Sequence, residues 1–132
     1  MIVCLLLALA AGCGSQAQRA GIQSLEPGER IRAIRSAGEA RDAAAVPLLI
    51  DRLDDEDEAV RFFAILALER ITGTRMGYDY RMWGAARVAA IERWRDALHS
   101  GQVGSRAAAA APGVASDPVR DGAHSSVESS GR

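Results

Sequence analysis

The chain has 132 residues, room for one domain, and 48% of them are hydrophobic, enough to build a core. Its 16 basic residues, all arginine, stand against 17 acidic ones, so it lacks the basic excess that a nucleic-acid-binding face requires. Arginine without lysine, beside so much alanine and glycine, reads as a coding bias toward G and C, and the arginine count carries no functional weight.

The chain opens with MIVCLLLALAAGC, an apolar run that ends in small residues. Its length suits the core of a signal peptide and is too short to span about 30 Å of bilayer. The stretch LAAGC resembles the lipobox of bacterial lipoproteins, although Ala10 stands where that family more often has Leu. The resemblance implies removal of residues 1–12 and lipidation of Cys13, which makes the chain an envelope protein held on a membrane. Without lipidation it would be secreted. No basic residue precedes the apolar run, which agrees with a start further upstream. The alternatives are an ordinary secretory signal or a buried N-terminal helix. Cys4 lies in the part that would be removed, leaving one cysteine and no internal disulfide.

Residues 13–24 are small and polar and are expected to form a flexible tether. Four helices are expected over 25–99. In the first, Pro27 suits the opening turn and Ile31, Ile34 and Ala37 form one stripe. The second begins near Pro47 and aligns Val46, Leu49, Ile50 and Leu53. The third follows the acidic run Asp54 to Glu58, is apolar nearly all round through Val60, Phe63, Ala64, Ala67, Leu68 and Ile71, and stops at Gly73. The fourth places Val88, Ile91, Trp94 and Leu98 on one side. Residues 100–132, rich in Gly, Ser, Ala and Pro, are expected to be a disordered tail.

A shift of 31 residues lays the first helix on the third, with Arg30 on Arg61, Ile34 on Ile65 and Ala37 on Leu68. A shift of 45 lays the second on the fourth, Val46 on Ile91 and Leu53 on Leu98. With Asp42, the AVP of Ala45 to Pro47, the acidic turn and the VR of Val60 and Arg61, the chain resembles short bacterial HEAT repeats, the type also named after phycobilisome lyases. The resemblance implies an all-α fold, a short α-solenoid of about two helical hairpins. It further implies a non-catalytic interaction module with an unidentified protein partner, or alternatively an accessory subunit of a lyase.

No residue pattern indicates an active site, a cofactor, a metal or a small-molecule substrate. The acidic run lacks the alternating ligands of a calcium loop and reads as helix capping. His99 and His124 lie at the domain edge and in the tail, without metal-ligand spacing. One cluster stands out: GYDYRMWG, Gly77 to Gly84, holds three of the six aromatic residues in the chain. Tyr78, Tyr80 and Trp83, with Trp94, are expected either to cap the open end of the solenoid or, flanked by Arg75 and Arg81, to form an exposed binding patch.

Overall fold

The computed structural model describes residues 10–109, with side chains from residue 15 onward. Six α-helices follow one another: α1 (Ala10–Ile22), α2 (Pro27–Glu39), α3 (Val46–Asp51), α4 (Glu58–Thr72), α5 (Gly84–His99) and α6 (Gln102–Ala109). Single 3-10 turns, Ala43–Ala45 and Arg52–Asp54, lengthen α3 at both ends. The described residues contain no strand, which agrees with the all-α expectation; the count of four helices becomes six among the described residues, because α1 and α6 flank the four expected over 25–99. No helix among the described residues is long and apolar enough to cross a membrane.

Local chemistry sets the helix ends. Pro27 and Pro47 occupy first turns, where a missing N–H costs little. The Asp42 side chain accepts from the amide of Ala44, and Asp57 from those of Ala59 and Val60, closing the open N-termini of the second and third predicted helices. Gly73, at φ 74°, ends α4 in the left-handed conformation that a side chain disfavours, with its amide on the Glu69 carbonyl.

Helices α2 and α4 lie side by side and make the most extensive contact in the fold. They approach closely because their crossing is built of small residues: a Cβ on Gly38 would stand 2.9 Å from Ala67 Cα. Helix α1 covers the other side of α2, and α3 packs beneath α4. Ile34, Leu49, Leu53, Val60 and Leu68 fill the space between these layers and have no exposed surface.

Both flanks depart from expectation. Of the flexible tether expected over 13–24, residues 13–22 are instead the last part of α1, with Ile22 fully buried. Its residues are small or polar, so they carry no hydropathy signal, yet small size is what the contact needs: a Cβ on Gly21 would meet that of Ala33 at 3.0 Å. In the tail, α6 forms because Val103 and Ala107, one turn apart, find a buried surface against the rest of the fold. Residues 1–9 of the expected signal segment 1–12 and residues 110–132 of the expected tail, with Cys4 and His124, lie outside the described residues.

Helix α5 does not repeat α3. Arg87 near its start lies 3.2 Å from Asp54 at the end of the α3 segment, whereas Leu98 near its end lines one groove with Ala43, Val46 and Pro47. The two helices are antiparallel, so the expected equivalence of Val46 with Ile91 and Leu53 with Leu98 fails. The cause is the connection 73–83, which returns from the C-terminal end of α4 to its N-terminal end before α5 begins. The buried face of α5 is Ala90, Ile91, Trp94 and Ala97, and Val88, expected inside, is 55% exposed.

The Gly38 crossing gives a direct test. Gly38→Val is expected to destabilise the fold by about 1–3 kcal/mol through overpacking, read as a lower urea midpoint at unchanged m.

Candidate interaction site

Two arginines related by the 31-residue shift hold the turns along one edge. Arg30 Nη1 donates to the carbonyls of Ser24 and Leu25, both at 2.9 Å. Arg61 Nη1 donates to those of Asp55 and Glu56, at 2.7 and 2.9 Å. In each repeat the arginine of the first helix thus ties down the turn that leads into that helix. Each also reaches one unit further along the stack. Arg30 Nη2 meets Asp55 Oδ1 at 3.2 Å, and Arg61 Nε donates to the Tyr80 carbonyl at 3.1 Å. Arg61 is only 8% exposed, and hydrogen bonds from a charged donor at that depth are among the stronger ones.

The acidic run belongs to the same system. Asp55 also receives Arg52 at 3.2 Å and the amide of Asp57 at 3.1 Å, Asp57 caps α4, and Glu58 stands 3.9 Å from Arg61. Among the described residues no three His, Cys, Asp or Glu are grouped to hold a metal ion. His99 is exposed.

The connection 73–83 is fastened along its length. The Tyr78 hydroxyl donates to the Leu53 carbonyl at 2.6 Å, Trp94 Nε1 to Arg75 at 3.2 Å, and Arg93 Nε to Met76 at 3.2 Å. Met76 and Gly77 both take positive φ there, 49° and 71°, and a Cβ on Gly77 would stand 3.3 Å from the Arg93 guanidinium. Desolvation pushes the Tyr78 hydroxyl up to about 12, against the opposing pull of the Arg61 and Arg87 charges.

The structure divides the aromatic cluster between its two expected roles. Trp94 has no exposed surface and Tyr78 is 3% exposed, so these two fill the end of the core. Trp83 is 84% exposed immediately before α5. Tyr80 lies between them in burial, edge-on to Phe62 at 5.0 Å, with the Arg81 guanidinium 5.1 Å from its ring centre. Arg75 pairs with Glu69 at 2.8 Å on the surface. The side chain of Cys13 lies outside the described residues.

Three residues that matter here, Arg61, Arg93 and Phe62, were not among the sequence candidates. A signal for the first existed: the shift that places Arg30 on Arg61 marks a repeated arginine, which a solvated surface would not require.

Stacked helical hairpins joined by arginine-tied turns define a helical-repeat protein. The family model for HEAT repeats matches residues 17–111, most of the chain, and the chain belongs to that family. The match includes α6 and the latter part of α1, in line with their packing. No curated protein and no solved structure matches the chain. HEAT repeats are generally protein-interaction modules and typically non-catalytic scaffolds.

Tyr78 predicts an alkaline effect. The unfolded chain releases this proton near the ordinary value of about 10, whereas the folded chain holds it to about 12. The stability that depends on neutral Tyr78 is therefore complete below pH 10 and declines as the pH rises to 12. Tyr78→Phe is expected to flatten that decline in thermal melts and to cost about 1 kcal/mol at neutral pH for the lost hydrogen bond.

Proposed function

We propose that the protein is a lipid-anchored interaction module of the cell envelope, non-catalytic, which holds a protein partner through the end of the solenoid that carries Trp83. The observation that carries this reading is the contrast within one short segment. Trp83 projects almost fully into solvent, yet the connection that leads to it is fastened at Arg75, Met76, Tyr78 and Tyr80 through Trp94, Arg93, the Leu53 carbonyl and Arg61. An exposed tryptophan on a fastened connection, next to Tyr80 and Arg81 in the chain, gives a partner a large contact area at little cost in backbone entropy.

The anchor is argued from LAAGC and Cys13. From Cys13 to Ile22 the backbone is helical, and nine residues of helix measure about 14 Å. A lipid at Cys13 would therefore hold the helical unit close to the bilayer rather than on a long leash. Acylation at more than one position, usual in bacterial lipoproteins, would make the attachment stable.

Three substitutions test the parts separately. Cys13→Ser is expected to move the protein out of the membrane fraction; unchanged fractionation would remove the anchor from the account. Trp83→Ala is expected to leave the melting temperature within about 2 °C, since exposed sites usually shift stability by less than 0.5 kcal/mol, and to abolish capture of partners by in-membrane cross-linking. Trp94→Ala is expected to cost about 3–5 kcal/mol.

A further inference from the structure

Helices α2, α4 and α5 run in one direction, so the fold has an end of helix starts and an end of helix terminations. Arg30 near the start of α2 meets Asp55 just ahead of α4, and Gly38 near the end of α2 lies on Ala67 toward the end of α4. Arg87 near the start of α5 is at Asp54, whereas Arg93, later in α5, donates to the carbonyls of Met76 and Gly77 just past the end of α4. Helix α6 lies with the terminations, where Val103 and Ala107 share a groove with Ala43 and Ala44.

The two ends carry opposite charge. At the helix starts, the acidic run with Glu26, Glu29, Asp51 and Asp79 outnumbers Arg30, Arg32, Arg52, Arg61, Arg81 and Arg87. At the terminations Asp42 faces Arg19, Glu39 faces Arg35 and Glu69 faces Arg75, and Asp96 shares a hollow with Arg93. Arg41, Arg70 and Arg106, all exposed, come on top of these couples and make that end basic. Glu92 and Arg95, paired partway along α5, add no net charge to either end.

Cys13 falls at the basic end. Helix α1 is antiparallel to α2: Gly21 stands against Ala33, and Arg19, nearer Cys13, reaches Asp42 beyond the end of α2. The helix from Gly21 back to Cys13 is about 12 Å long and that from Ala33 to Glu39 about 9 Å, which brings Cys13 level with the turn after α2. Trp83, just ahead of α5, is at the opposite, acidic end.

Anionic head groups attract arginines held within about 10 Å of their surface, each worth roughly fivefold in surface affinity, and repel carboxylates. Given the anchor proposed at Cys13, on which this rests, we infer that the basic end is a second membrane contact, docked on anionic phospholipid head groups. The docking stands α2 and α4 on the bilayer by their C-terminal ends and turns the acidic turns and Trp83 outward, where a protein partner reaches them. An acyl chain by itself fixes no such orientation.

Head-group quenching tests it on the full-length protein as the cell processes it. The protein is reconstituted into vesicles of phosphatidylcholine, with or without phosphatidylglycerol, that contain a head-group nitroxide lipid. A fluorophore is attached at Ala40→Cys or Ala59→Cys, exposed positions at the basic and acidic ends. With phosphatidylglycerol present, the label at 40 is expected to be quenched at least roughly threefold more than the label at 59. Arg70→Glu plus Arg106→Glu, at exposed sites in no ion pair among the described residues, is expected to remove that difference at an unchanged melting temperature; Glu39→Gln is expected to widen it. Flotation with both kinds of vesicle but equal quenching at the two labels, stronger quenching at 59, or the same difference in phosphatidylcholine alone would overturn the docked end and leave the anchor standing. Failure to float with phosphatidylcholine vesicles would overturn the anchor, and the docking with it.

Discussion

Arginine hydrogen bonds to turn carbonyls are the constraint on which the rest of this fold depends. A stack of short helices leaves backbone carbonyls in its turns, and a chain with so few layers has little apolar surface with which to hold those turns still. Arg30 and Arg61 answer this in the same way, each tying the turn before its own helix and then reaching one unit onward, to Asp55 and to the Tyr80 carbonyl. The second reach matters most, because the connection 73–83 is where the repeat pattern breaks.

From that fastening follow both the direction of α5 and the division of the aromatic cluster. Once the connection lies back along α4, Tyr78 and Trp94 face into the end of the core and Trp83 is left outside it. Packing and exposure are therefore not competing descriptions of GYDYRMWG. The buried aromatics fasten the connection, and in the proposed role a fastened backbone would lower the entropy cost of a contact at Trp83.

Much of the architecture was legible in the residues because it is written in local chemistry. Pro27, Pro47, Asp57 and Gly73 each act within a turn of where they stand, and the shift from Arg30 to Arg61 exposes the repeat directly. The rest depends on contacts distant in sequence. Helix α1 is held by a glycine against an alanine, which no hydropathy pattern reveals, and α6 needs the groove that receives Val103. The direction of α5 is set by the path of the preceding connection, so reading α5 as a copy of α3 misplaced Val88. Of the candidate site, composition found the aromatics, but which of them face outward depends on the path of the connection that Arg61 fastens, and the sequence marked Arg61 only as the repeat of Arg30.

Amide hydrogen exchange on Arg61→Met tests the central claim most directly. Met keeps much of the volume and apolar stem while removing the hydrogen bonds that the Arg61 side chain donates to Asp55, Glu56 and Tyr80. If Arg61 fastens the edge, deuterium uptake rises in the turn 55–57 and the connection 75–83, while the α2–α4 contact around Gly38 and Ala67 keeps its protection. Unchanged uptake in both segments would contradict the account.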